Sequence, residues 1–285
     1  MSKKPEMKNF KGLTQDSRAV KKGYLFAALP GSITDGRKYI ADAVRNGASG
    51  ILAPAGTPWP GEVPLDGVAF ITDENPRLAL AKMAAEYYAA QPERIVAVTG
   101  TNGKTSTVHF TKQLWKGKNI KAASIGTLGV RGPGLVRSGS MTTPDPVALH
   151  AELADLASVG ITHLAIEASS HGLHQYRLDG VKIGAAAFTN ITRDHLDYHS
   201  TMEEYFKAKA RLFSEILGPG GVAVLNADIP EFDALKKLAM AAKCRVLSFG
   251  MKGEDLRLIA AEPSSHGQKL KIEVMGRAHN VVLPA

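Results

Sequence analysis

Thr99-Gly-Thr-Asn-Gly-Lys-Thr-Ser106 is the stretch on which the fold turns. It follows an apolar run, Ile95-Val-Ala-Val98, and leads into Thr107-Val-His-Phe-Thr-Lys-Gln-Leu-Trp115, whose apolar spacing suits a helix. Strand, glycine-containing turn, Lys-Thr and helix form the context that a phosphate-binding loop requires. Backbone N–H groups at the helix start point at the anion, and the helix dipole adds partial positive charge there. Lys104 would reach the β- and γ-phosphates, and the Thr105 hydroxyl would sit on Mg²⁺. The longer form of this loop has a further glycine where Val98 stands, so only Gly100-x-x-Gly103-Lys104-Thr105 is present. The reading is an ATP site.

Length and composition set the frame. With 285 residues the chain has room for two domains, and 44% hydrophobic with 22% charged residues is ordinary for a water-soluble protein. No long apolar run suggests a membrane span, and the start Met1-Ser-Lys-Lys-Pro-Glu6 is polar, so a cytoplasmic protein without membrane association is expected. The single Cys244 excludes an internal disulfide and a cysteine-clustered metal site. It begins Cys244-Arg-Val-Leu-Ser-Phe249, which reads as a buried strand, so it is expected to be a core thiol. The net charge of +8 is scattered, without a basic tract or aromatic-interleaved patch, and no nucleic-acid partner is expected.

The fold class expected is α/β, in two parts. Residues 1–91 read as a small Rossmann-like α/β domain with strands at 23–29, 49–53 and 67–72 and helices at 39–46 and 76–90. Residues 92–285 read as a central domain with a mostly parallel sheet, strands being placed at 95–99, 163–167, 185–189, 221–225 and 245–249. A short antiparallel segment at 256–262, 268–275 and 279–283 follows.

Three further groups carry chemistry. Glu167 ends the apolar run Leu164-Ala-Ile166, and His195 lies in the segment that follows Ala185-Ala-Ala-Phe188. A carboxylate and an imidazole past strand ends suit Mg²⁺ or Mn²⁺ beside phosphate oxygens, although either residue alone is as readily a loop anchor. On the helix predicted over 202–217, Lys209 falls on the apolar stripe of Met202, Tyr205, Phe206, Leu212, Phe213, Ile216 and Leu217. Glu203, Glu204, Lys207 and Arg211 fall on the other face. An inward lysine is partly neutral and can add CO₂ to become a metal-ligating carbamate. A lysine that snorkels to the surface has the same spacing.

The phosphate loop, Glu167-Ala-Ser-Ser-His-Gly-Leu173, Thr189-Asn-Ile-Thr-Arg-Asp-His-Leu-Asp-Tyr-His199 and Glu204-Tyr-Phe-Lys-Ala-Lys-Ala-Arg-Leu-Phe213 occur in order. Together they resemble the Mur ligases over nearly the whole chain. Thr14-Gln-Asp-Ser-Arg18 and Asp35-Gly-Arg-Lys-Tyr-Ile40 are similar to the branch that attaches a diamino acid to UDP-MurNAc-L-Ala-D-Glu. The resemblance implies an ATP-dependent peptide ligase of peptidoglycan biosynthesis that works through an acyl phosphate. It implies ATP contacts at Gly100, Thr101, Asn102, Gly103, Lys104, Thr105 and Ser106, with Asn226 near adenine. It implies Mg²⁺ on Thr105 and Glu167, and a second ion on Glu167, His195 and a carbamylated Lys209, a reading of Lys209 that the spacing left open. Lys104, His195 and Lys209 are the implied catalytic residues.

For the UDP-MurNAc-dipeptide, the resemblance implies uridine contacts at Ser17, Ser32, Ile33 and Thr34, and muramoyl-dipeptide contacts at Thr142, Thr143, Ser169, Gln175 and Arg177. Met141 stands where some members carry Asn, so that contact is not carried over, and His171, His174 and His199 are taken as supporting residues. The incoming amine is expected to be meso-diaminopimelate, with lysine the alternative, and the protein to be a monomer. A third, C-terminal domain of the family has no counterpart before Ala285, so these residues alone are expected to turn over poorly or not at all. The rival readings are a folylpolyglutamate-type or MurF-like ligase and a non-catalytic nucleotide-binding module.

Overall fold

The computed structural model of the chain describes residues 6–31, 34–139 and 141–284. The first part runs β1 (Gly12–Thr14), β2 (Tyr24–Ala27), α1 (Ile40–Arg45), β3 (Gly50–Pro54), β4 (Ala69–Asp73) and α2 (Pro76–Tyr88). The four strands form a parallel sheet in sequence order. Alternate residues of β2 and β3 point to opposite faces, and both faces are covered. Leu25, Ala27 and Leu52 pack with Leu80, Met83 and Ala84 of α2. Phe26, Ile51 and Ala53 pack with Ile40 and Ala43 of α1. Helix α2 starts where Asn75 Oδ1 accepts the Leu78 N–H at 3.1 Å and Pro76 occupies the first turn, which lacks intrahelical N–H partners in any case.

The second part runs β5 (Arg94–Thr99), α3 (Lys104–Gly117), β6 (Ala122–Gly126), β7 (Gly129–Gly132), β8 (Leu135–Arg137), α4 (Pro146–Ser158), β9 (His163–Glu167) and α5 (Ser170–His174). It continues with β10 (Ile183–Phe188), α6 (Met202–Arg211), β11 (Val222–Asn226), α7 (Phe232–Ala241), β12 (Arg245–Gly250), β13 (Leu256–Ser264), β14 (Gly267–Val274) and β15 (Arg277–Pro284). Eleven strands form one sheet in the order β15-β14-β13-β12-β11-β10-β5-β9-β6-β7-β8. Its centre is parallel from β13 to β6, and antiparallel ribbons extend both edges. The ribbon β6–β8 is absent from the sequence-based expectation, as is β1.

Two compact units emerge. One holds residues 1–91 together with 144–158 and 175–181; the other holds the rest. Two continuous segments, 1–91 and 92–285, therefore do not describe the packing. Helix α4 and the stretch after α5 join the first unit: Val147 enters the α2 core, and His150 Nε2 hydrogen-bonds the Asp179 carbonyl at 3.1 Å.

The helix expected over 202–217 is α-helical to Arg211 and continues as one wide π-helical turn, Leu212–Ile216. Two assignments on it are corrected. Met202 is 37% exposed rather than packed. Arg211 is only 9% exposed, its Nε donating to Glu215 Oε2 at 2.7 Å and its Nη1 to the Leu173 carbonyl at 2.6 Å. Cys244 is buried just before β12, where burial pushes its thiol pKa up, in keeping with a core thiol.

Candidate functional site

Register brings four strand ends of the second unit together. Val98 pairs with Glu167, Thr99 with Phe188, and Ile125 with Ile166. The loops leaving β5, β6, β9 and β10 therefore open on one edge of the sheet, where parallel α/β sheets hold ligands. A cavity of about 340 Å³ lies there, lined by residues 101–106, Thr127, Thr142, Glu167, Ser169, Ser170, His195 and Lys209.

The phosphate loop forms its floor. Gly100 (φ +143°) and Gly103 (φ +84°) occupy backbone regions that favour glycine. A Cβ on Gly100 would also meet Thr189 Oγ1 at 1.9 Å, so side-chain-free backbone is required there twice over. Lys104 Nζ donates to the Gly100 and Thr101 carbonyls at 2.9 and 2.8 Å. Burial lowers its pKa.

Glu167 is 1% exposed, and each of its carboxylate oxygens accepts a hydrogen bond. Oε2 accepts from Thr105 Oγ1 at 2.9 Å and Thr127 Oγ1 at 3.2 Å, and Oε1 accepts the Thr127 N–H at 2.9 Å. The Thr127 and Thr142 hydroxyls lie 3.0 Å apart. A Cβ on Gly126 would come within 2.0 Å of Glu167 Oε1, so only glycine lets β6 pass this carboxylate. Thr127 and Ser170 are site residues that sequence reasoning missed. The short run Ala122-Ala-Ser-Ile125 ended by Gly-Thr was the available signal for Thr127. The Ser170 hydroxyl is buried against the cavity without a hydrogen-bond partner among the described residues.

Lys209 is 1% exposed, not snorkelling. Its Nζ donates to the Gly100 carbonyl at 2.8 Å and lies 4.5 Å from the centre of the Tyr205 ring. Burial first, and the Lys104 charge second, push its pKa down to about 7. Tyr205 is itself buried, and its hydroxyl lies 3.1 Å from Thr101 Oγ1. His195 adopts φ +51° and projects into the cavity, its backbone N–H held by Asp194 Oδ1 at 2.9 Å. His199 lies behind it, buried against Tyr205, and burial pushes its pKa down to about 4.

The remaining sequence-predicted residues are spread more widely. Thr142 and Ser169 line the cavity. Thr143 lies beneath it: its hydroxyl donates to the Glu167 carbonyl at 2.8 Å and accepts the Ser169 N–H at 3.0 Å. Asn226 is not in the lining. Its Nδ2 donates to the Thr189 carbonyl at 2.7 Å and its Oδ1 accepts the Asp228 N–H at 2.9 Å. Gln175 and Arg177 belong to the first unit and hydrogen-bond each other at 2.7 Å. In the same unit Ser17 opens a short 3₁₀ turn and Thr34 is exposed, its hydroxyl 3.2 Å from that of Tyr39. Ser32 and Ile33 lie outside the described residues.

The donor set suits magnesium. Among the described residues no three His, Cys, Asp or Glu side chains form a ready-made cage. What is present is a hard-oxygen pair, Thr105 Oγ1 with Glu167 Oε2, beside a phosphate-type loop. Mg²⁺ is usually bound in this way, by one or two protein oxygens together with substrate phosphates.

Comparison with known proteins agrees with this geometry. Residues 98–284 match the Mur ligase middle domain, and residues 9–88 match the Mur ligase family catalytic domain. The chain is 48% identical over 96% of its length to the UDP-N-acetylmuramoyl-L-alanyl-D-glutamate–2,6-diaminopimelate ligase of Chelativorans sp. (strain BNC1), and spans 56% of that protein. A solved structure of a ligase of the same name superposes with a TM-score of 0.83 at 32% identity, covering 97% of this chain and 56% of the other. MurF from Thermotoga maritima, solved with ADP, shares the fold at a TM-score of 0.63 and 22% identity, over 99% of this chain and 60% of that one. No helix among the described residues is long and apolar enough to cross a membrane. The strand-end cavity, its phosphate loop and these matches together establish that the chain belongs to the Mur ligase family.

Proposed function

We propose that this chain forms the UDP-substrate-binding and ATP-handling part of a ligase that joins 2,6-diaminopimelate to UDP-MurNAc-L-Ala-D-Glu, a step of peptidoglycan assembly. The observation that carries the proposal is the convergence of Lys104, Lys209 and the Thr105–Glu167–Thr127 node on one cavity. The 48% identity to a relative named for that reaction supports the choice of substrates.

In this reading a D-glutamyl carboxylate oxygen attacks the γ-phosphorus of ATP. The bond to the bridging oxygen breaks, ADP leaves, and an acyl phosphate forms. The diaminopimelate amine then attacks the acyl carbon, the carbon–oxygen bond to phosphate breaks, and the ammonium proton passes to solvent. Nucleophile and γ-phosphate are both anionic, so the chain's work is to hold and screen them. Lys104 supplies a charge at the β- and γ-phosphates, and the first N–H groups of α3 supply fixed dipoles. Magnesium, held by Thr105 and Glu167, supplies further charge neutralisation when bound.

Lys209 belongs to the same scheme as a carbamate. The neutral Nζ lone pair attacks the CO₂ carbon, an N–C bond forms as one C=O π pair moves onto oxygen, and one N–H proton passes to solvent. The buried amine becomes an anion that, with Glu167 and His195, suits a second magnesium ion. A pKa of about 7 leaves a substantial neutral fraction at physiological pH, which supports this role. Thr142, Thr143, Ser169, Gln175 and Arg177 are assigned to the muramoyl dipeptide. Ser17, Ser32, Ile33 and Thr34 are assigned to uridine, and Asn226 to the adenine side.

Titration calorimetry of the chain with UDP-MurNAc-L-Ala-D-Glu, Mg·ATP and a dihydrofolate tests the assignment. The expected result is binding of the first two and none of the folate. Folate binding, or no response to the UDP substrate, would overturn it.

A further inference from the structure

The loop that leaves β10 carries no phosphate-binding motif, yet it grips the phosphate loop at Thr101 and Asn102. Asn190 Oδ1 accepts the Asn102 N–H at 2.9 Å, and Asn190 Nδ2 donates to the Asn102 carbonyl at 3.1 Å. The backbone donor and acceptor fix which amide atom is oxygen. Thr189 Oγ1 donates to the same Asn102 carbonyl at 2.6 Å. One residue earlier, the Thr101 N–H donates to the Asn190 carbonyl at 2.9 Å, and Thr101 Oγ1 accepts the Thr192 N–H at 3.0 Å. The brace is anchored from behind, because Asn226 Nδ2 donates to the Thr189 carbonyl at 2.7 Å. Gly100 leaves the space that Thr189 Oγ1 occupies.

We propose that Thr189 and Asn190 are positioning residues that set the orientation of the peptide between Asn102 and Gly103. In a planar trans peptide the carbonyl and the following N–H point in opposite directions. Two donors pull the Asn102 carbonyl towards the β10 loop, so the Gly103 N–H is turned the other way, to the cavity side. The Asn102 N–H is held by Asn190 and takes no part in anion binding. The anion-binding donors therefore begin at Gly103 and continue through the first turn of α3. Fixing this peptide before the ligand arrives removes an ordering cost from binding.

This inference rests on the nucleotide reading of the loop, and the test separates the two. Affinities of the chain for Mg·ADP and for UDP-MurNAc-L-Ala-D-Glu are measured by calorimetry, with Tm, for wild type, Asn190→Ala, Thr189→Val and Thr189→Ser. Loss of one or two of these hydrogen bonds should weaken Mg·ADP about tenfold in Asn190→Ala and Thr189→Val. Thr189→Ser, which keeps the hydroxyl, should restore affinity to near the wild-type value, and affinity for the UDP substrate should not change in any variant. Unchanged Mg·ADP affinity in Thr189→Val and Asn190→Ala, or parallel loss of both ligands, would overturn the positioning role. Wild type that binds the UDP substrate but no Mg·ADP would overturn the nucleotide reading itself, and the inference with it.

Discussion

Lys104 and Lys209, from different helices, donate to one acceptor, the Gly100 carbonyl, at 2.9 and 2.8 Å. Two amines that both prefer to be cationic are thus held at a single oxygen beneath the phosphate loop. Each has its pKa lowered by burial, and Lys104 adds to the shift of Lys209. Such a site gains from any group that brings negative charge, whether a phosphate above Lys104 or a carboxylate built onto Lys209.

The cost of burying Lys209 depends on pH in a calculable direction. Its pKa falls from an ordinary 10.5 to about 7 on folding, so between these values the unfolded chain binds the extra proton. Stability then rises with pH across that window, and the full cost is present below pH 7. Lys209→Met should therefore raise Tm in CO₂-free buffer, by roughly 5 °C at pH 7 and by clearly less at pH 9.5. Thermal melts at the two values check this, and an equal gain at both would mean that folding does not shift the pKa of this amine.

The carbamylation proposed for Lys209 should follow the same titration. With ¹³C-bicarbonate, wild type should show a carbamate resonance that strengthens from pH 6 to pH 8, as the neutral amine is populated. Lys209→Arg should lack it. A signal that persists in the variant would assign the modification elsewhere.

Gly126 faces Glu167 across a gap too small for a methyl group. Gly126→Ala should displace the carboxylate and weaken Mg·nucleotide binding about tenfold or more, with affinity for the UDP substrate retained. Calorimetry with and without Mg²⁺ provides the check. Unchanged magnesium dependence would remove Glu167 from the ion's shell.

Much of the site was legible because its chemistry is local in sequence. Gly100 to Ser106 read as a strand–loop–helix phosphate site, and Lys209 fell on an apolar stripe. Thr127 was not legible: β6 is built of small residues, Ala122-Ala-Ser, with no alternation to mark it. Arg211 was assigned to the solvated face because straight α-helical spacing places it with Glu203 and Lys207. Helix α5 packs against α6 there, a tertiary contact that spacing does not encode, and Arg211 donates to the Leu173 carbonyl. The brace of Asn102 by Asn190 spans 88 positions, and no spacing rule encodes a hydrogen bond at that separation. Nor does spacing show that α4 leaves its flanking strands to pack on α2.

Arg211 ties α5 to α6, and so links Ser169 and Ser170 to the helix that carries Lys209. Arg211→Met should leave the Leu173 carbonyl without its buried charged donor and cost about 2–3 kcal/mol. Urea denaturation followed by circular dichroism measures it, and a loss below about 0.5 kcal/mol would show the contact to be energetically idle.

The central claim is that the cavity above Gly100–Ser106 takes the phosphates of Mg·ATP through Lys104. Calorimetric titration of Mg·ATP into wild type and Lys104→Ala, each first shown to bind UDP-MurNAc-L-Ala-D-Glu, tests it most directly. The account predicts saturable Mg·ATP binding by wild type and a loss of at least about tenfold in Lys104→Ala, with the UDP-substrate affinity the same in both. Equal Mg·ATP affinity in the two proteins would contradict it.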